Sequence, residues 1–118
     1  MDVSQLKTQV NETVVNSMIA YLDEYDGDGY TKEDIAKCEA LLCEYLDALA
    51  AITDPTDELI MAQVKTVVLA LNDLNEAVDY SMIETEEREA IWEIIQSAAE
   101  ACGLQDVPDD VTEEWREW

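Results

Sequence analysis

The stretch TKEDIAKCEALLCEYLDALAAI, running from Thr31 to Ile52, decides the fold class. Its apolar residues Ile35, Cys38, Leu42, Tyr45, Leu49 and Ile52 recur at alternating steps of three and four, which puts them on one side of an α-helix and on both sides of a strand. Such a seam buries itself against other helices. Thr31 stands where an N-cap belongs, and Asp34, three residues on, makes a loose form of the capping box.

The same period extends in both directions. Upstream, Val3, Leu6, Val10, Val14, Met18 and Tyr21 mark a first helix that ends in the acidic, glycine-containing run from Asp23 to Gly29. Downstream, Asp54 is a cap candidate and Pro55 suits the first position of a third helix. That helix has its seam at Ile60, Val64, Val67, Leu71, Leu74 and Val78; Met61, Val68, Leu69, Ala70 and Ala77 widen the apolar sector and make it the most buried of the set. Thr85 caps a fourth helix with Ile91, Ile95, Ala98 and Cys102 on its inner face and Gly103 as its left-handed stop. Val111, Trp115 and Trp118 share one side of a short terminal helix. The expectation is an all-α chain, an antiparallel helical bundle of three to four helices over residues 1–103, with an acidic, tryptophan-containing segment 104–118 packed on it.

Composition narrows the function. The 118 residues include 29 acidic and 6 basic ones, for a formal net charge of -23. On a single domain with a radius of gyration of roughly 13 Å, that charge repels phosphate backbones and anionic lipid heads and attracts cations and basic protein surfaces. Direct contact with nucleic acid or a membrane is therefore not expected. No basic leader segment opens the sequence, and the apolar run from Leu59 to Leu71 is broken by Gln63 and Lys65. Cys38 and Cys43 lie too far apart around a helix to bridge, and Cys38 and Cys102 read as core residues of a cytoplasmic, reducing compartment.

There is no histidine. That removes imidazole acid–base catalysis, Ser-His-Asp and Cys-His nucleophiles and His-ligated metals. No glycine-rich phosphate loop is present either, so the expectation is a protein that is not an enzyme and carries no cofactor.

Two local features carry candidate sites. The run Glu24-Tyr25-Asp26-Gly27-Asp28-Gly29-Tyr30-Thr31-Lys32-Glu33-Asp34 resembles an EF-hand calcium loop, with acidic groups at alternate positions before a glycine. The resemblance implies weak Ca2+ binding through Glu24, Asp26, Asp28 and Asp34. It departs from the pattern in opening on Glu24 rather than aspartate, in lacking the aliphatic residue after Tyr30 and in placing Ile35 where the bidentate glutamate belongs. The competing reading, an acidic turn between helices, is the one this spacing favours.

The second feature is the segment from Glu84 to Trp118, whose twelve acids less two bases leave a charge of -10. Glu84, Glu86, Glu87, Glu89, Glu93, Asp109, Asp110, Glu113 and Glu114 are candidates for a surface that docks on a basic protein partner by electrostatic steering. A solvated face serving solubility is the alternative. Trp115 and Trp118 are candidates for the same interface, although folding back to close one end of the bundle is the reading favoured for them. The weakly apolar outer side of the second helix, at Ala36, Ala40, Cys43, Ala50 and Ala51, leaves room for a homodimer.

The segments Leu71–Asn75 and Ser81–Glu89 resemble a pattern in small uncharacterised helical proteins of gut bacteria, a likeness that implies no activity. In composition the chain is also similar to acidic inhibitors, the toxin-neutralising immunity proteins and phage anti-CRISPR DNA mimics, which implies inhibition of a nucleic-acid-binding protein.

Overall fold

In the computed structural model, which describes residues 1–25 and 29–118, the chain is an all-α bundle of four helices, with no strand among the described residues. Helix α1 occupies residues 4–25 in three continuous pieces, Ser4–Gln9, a π-helical Val10–Val15 and Asn16–Tyr25. Helices α2 (Lys32–Ala50), α3 (Asp57–Ala77) and α4 (Thr85–Cys102) follow after short connections. The radius of gyration is 14.0 Å and the principal extents are 45 × 27 × 20 Å, the rod-like shape of side-by-side helices.

The π piece has a cause in the sequence. Val10, Val14, Met18 and Leu22 are all buried at steps of four, and in an α-helix of about 3.6 residues per turn each such step overshoots by roughly 40°. One wider turn absorbs the drift and brings Val15 onto the buried face as well.

Helix α2 begins as its sequence indicates. The Thr31 hydroxyl accepts from the Asp34 N–H (3.3 Å), and the Asp34 carboxylate accepts from the Thr31 N–H (2.9 Å), so the capping box is complete. At α3 the start lies further along than Asp54-Pro55: Thr56 is the cap, its hydroxyl accepting from Leu59 N–H (3.2 Å). This frees the Asp57 carboxylate to accept from the backbone N–H groups of Gln105 (2.8 Å) and Asp106 (3.0 Å) in the chain beyond α4. At α4 the cap is Glu84 rather than Thr85, and the Glu84 N–H donates to the Glu87 carboxylate (3.2 Å). Gly103, at φ 112°, ends α4; Gly103 N–H donates to the Glu100 carbonyl and Leu104 N–H to that of Ala99, a Schellman pair.

The core is one cluster centred on Met18, Leu42, Leu46, Leu49, Ile60, Leu71, Met82, Ile91, Ile94 and Ile95, all fully buried. Helix α4, not α3, is the more enclosed, with eight of 18 residues buried against seven of 21. The wide apolar sector read into α3 is partly solvent-facing: Leu69 is 41% exposed, whereas Asn72 and Asn75, both polar, lie inside.

Those buried amides organise the chain around them. The Asn75 Oδ1 accepts from Met82 N–H (3.2 Å) and Ile83 N–H (3.1 Å), closing the α3–α4 turn. Asn72 donates to the Trp115 carbonyl (2.7 Å) and accepts from Glu117 N–H (3.0 Å), while Gln96 of α4 donates to the Pro108 carbonyl and accepts from Val111 N–H, both at 3.0 Å. The segment after Gly103 therefore lies against α3 and α4. In place of the expected terminal helix it forms a single turn, in which Trp115 and Arg116 N–H groups both donate to the Thr112 carbonyl. One turn meets the cost of helix nucleation without the propagation that offsets it, and here Asp110, accepting from the Thr112 N–H and hydroxyl, holds it in place.

Candidate functional site

The first turn of α4 faces α1 across an open groove of about 660 Å³. One wall is α1, which contributes two rows at four-residue spacing, Glu12, Asn16, Ala20, Glu24 and Thr13, Ser17, Tyr21, Tyr25. The other wall is Glu84, Thr85, Glu86 and Glu87. Five glutamates line the groove and no lysine or arginine does. The π-helical piece supplies Glu12 and Thr13, so the wide turn that keeps the valines buried also sets the outward angle of this wall.

The two walls are joined. Glu87 is only 8% exposed; one carboxylate oxygen accepts from the Ser17 hydroxyl and the other from the Glu84 N–H. A carboxylate at a helix N-terminus also interacts favourably with the helix dipole. Glu87 thus braces the groove rather than presenting charge, while Glu12, Glu24, Glu84 and Glu86 are exposed.

Tyrosines form the end of the groove nearest the α1–α2 connection. The rings of Tyr21 and Tyr25 lie 4.7 Å apart at 35°, and Tyr21 stacks on Tyr30 at 5.5 Å and 13°. Tyr30 is buried with its hydroxyl directed at the Met18 carbonyl, and burial, reinforced by the charges of Glu87, Tyr21 and Glu84, pushes its phenol well above the ordinary range. Tyr25, by contrast, is 54% exposed. The stack is therefore anchored at one end and open to solvent at the other.

The acidic residues singled out in the sequence are divided by the fold. Glu84, Glu86 and Glu87 line the groove; Glu89, Glu93, Asp109, Glu113 and Glu114 are exposed but do not line it. Asp110 is engaged internally by Thr112 and by Arg116 Nη1 at 2.7 Å. Trp115 and Trp118 are partly buried against the core, with the Arg116 guanidinium 5.6 Å from the Trp118 ring centre, as a segment folded back onto the bundle requires.

Of the calcium-loop candidates, Asp26 and Asp28 lie outside the described residues. Asp34 is occupied in capping α2, and Glu24 points along the groove wall. Among the described residues no group of three or more metal-ligating side chains converges. The three cysteines are free thiols, and burial pushes that of Cys38 up to about 12. No described helix is long and apolar enough to cross a membrane.

Sequence reasoning passed over Glu12, Tyr21 and Tyr25 as binding residues. Their signal was a pair of four-spaced rows on α1, one exposed and one flanking the buried face, where Tyr21 still packs partly against the core; it is visible only once the apolar face has been fixed. Comparison with protein-family models, curated proteins and solved structures returns no match.

Proposed function

We propose that this protein is a non-enzymatic, acidic protein-binding module of a reducing, cytoplasmic compartment that docks on a basic protein, in the manner of an inhibitor that takes the place of nucleic-acid phosphates. One observation carries the reading: the charge is almost wholly uncompensated from within. Among the described residues only two ion pairs form, Lys7 with Asp47 and Arg116 with Asp110, both at 2.7 Å. Glu84, Glu86, Glu89, Glu93, Asp109, Glu113 and Glu114 stand exposed without a basic partner among those residues. Uncompensated charge opposes folding by self-repulsion, and it speeds encounter with a surface of opposite sign.

The test is capture of partners from the native host on the immobilised chain, followed by affinity measurement on the purified partner from about 50 mM to about 500 mM salt. Binding is expected to weaken steeply over that range and to be abolished by lysine at Glu86, Glu89, Glu113 and Glu114 together. An affinity indifferent to both salt and charge reversal would refute the proposal.

A further inference from the structure

Resting on the reading of the protein as a binder of basic partners, we infer that the α1–α4 groove is the point of recognition, and that it takes an arginine side chain from the partner's surface, stacked on Tyr25 and held by carboxylates of the groove lining.

Three independent features meet there. The first is shape: a groove of about 660 Å³ is within the range of roughly 300–1,000 Å³ typical of ligand sites, but it is open along its length, as suits a side chain presented on a surface. The second is charge. Glu12 and Glu24 on one wall face Glu84 and Glu86 on the other, with no basic residue in the lining. An anion drawn to the positive end of the α4 dipole meets those carboxylates first, and Glu87 already accepts from the N–H of the cap residue Glu84.

The third feature is aromatic. Tyr25 leaves 54% of its surface in water at one end of the same groove, next to Glu24 in the lining, while its neighbour Tyr21 is fixed by stacking on the buried Tyr30. A half-exposed ring in a groove lined by carboxylates offers its electron-rich π-system to a cation.

Guanidinium fits this combination better than ammonium. It is planar, so it stacks on a tyrosine while its edge forms paired hydrogen bonds to a carboxylate; it is also less strongly hydrated, and loses less on leaving water. Lysine can satisfy the charge but not the stacking geometry. A divalent metal is a poor occupant, since no three ligating groups converge among the described residues.

The experiment uses the full chain, isotope-labelled, titrated with the peptide acetyl-Ala-Arg-Ala-Arg-Ala-amide, its lysine counterpart of equal charge, and free spermine. The expected result is a set of amide shifts centred on Glu12–Tyr25 and Glu84–Glu87, with the arginine peptide binding about fivefold or more tighter than the lysine peptide. Tyr25→Leu, at an exposed position, removes that preference while keeping residual charge-driven binding. Glu86→Gln weakens both peptides, and Glu113→Gln with Glu114→Gln leaves the groove shifts in place.

Equal affinity for the two peptides, an arginine preference that survives Tyr25→Leu, or shifts centred on residues 104–118 overturns the inference while leaving the broader proposal standing. Tighter binding of spermine than of either peptide overturns it in favour of a small polyamine. If the purified partner binds independently of salt, the broader proposal fails first.

Discussion

Asn75 holds the turn that delivers α4 to the groove, and its removal should be costly. The residue is 2% exposed, and its Oδ1 accepts two hydrogen bonds, from Met82 and Ile83, which are 0% and 6% exposed. In Asn75→Ala both backbone donors lose their acceptor, and a buried unsatisfied group costs about 1–3 kcal/mol. Because Asp79 and Tyr80 in the same turn are exposed, water reaches part of the gap, and about 2–4 kcal/mol for the pair is the reasonable sum. At about 2.1 cal/mol/K per residue, the unfolding entropy of a chain this long is about 0.25 kcal/mol/K, so each kcal/mol lowers Tm by about 4 °C. Thermal unfolding followed by circular dichroism should therefore show Tm reduced by roughly 8–16 °C. Asn75→Asp retains an acceptor for both N–H groups and should recover most of the loss at neutral pH. The reasoning is refuted if alanine is tolerated within about 2 °C, or if aspartate costs as much as alanine, since the acceptor would then not be what matters.

Gly29 and Gly103 both have positive φ, 103° and 112°, but a Cβ on Gly29 would sit 2.8 Å from Ser81 Oγ whereas one on Gly103 meets nothing within 4 Å. Gly103→Ala should cost only backbone strain, about 1–2 kcal/mol, while Gly29→Ala should cost more and be partly rescued by Ser81→Gly in a double-mutant cycle; absence of coupling would count against the contact. Hydrogen bonds from the N–H groups of Gln105 and Asp106 hold the Asp57 carboxyl below its ordinary pKa. Since the folded pKa is lowered, this contact stabilises the fold above the unfolded value of about 4 and loses its contribution as pH falls through the folded value. Asp57→Asn should accordingly flatten the acid limb of a stability–pH curve, and an unchanged limb would show that the contact contributes nothing. Raising salt from about 10 mM to about 1 M shortens the screening length from roughly 30 Å to roughly 3 Å. Tm should rise by several degrees over that range as repulsion is screened, and a fall would mean that internal ion pairs outweigh it.

The parts of this fold that were legible in the sequence are those settled by neighbours along the chain. The α2 seam, the Thr31–Asp34 capping box and the Gly103 stop each depend on residues within a few positions of one another. The shifted starts of α3 and α4 escaped because the choice between adjacent caps is made by distant partners: Asp57 is drawn to Gln105 and Asp106, and Glu87 to Ser17. Leu69 was read by hydropathy alone, whereas the buried face of α3 also carries the returning segment through Asn72. The wide turn in α1 was written in the steps of four from Val10 to Leu22, but an α-helix was assumed in reading them.

The groove was least legible because it belongs to no segment. Its braces join residues 70 positions apart, Ser17 and Glu87, and neither is unusual where it stands. Glu87 looked like one more carboxylate in an acidic helix start, yet it is the one turned inward, and by accepting from both Ser17 and the Glu84 backbone it sets the spacing between walls that leaves Glu84 and Glu86 facing outward. An acidic first turn alone lowers the energy of α4 through its dipole. Placed across from Glu12, Glu24 and a half-bare Tyr25, it also concentrates negative potential in a cleft, where low-dielectric walls strengthen the field. The same helix start thereby serves the fold through one carboxylate and leaves its neighbours exposed in the groove. Asn75, which accepts from Met82 and Ile83 immediately before that start, ties the closure of the α3–α4 turn to the place where α4 begins.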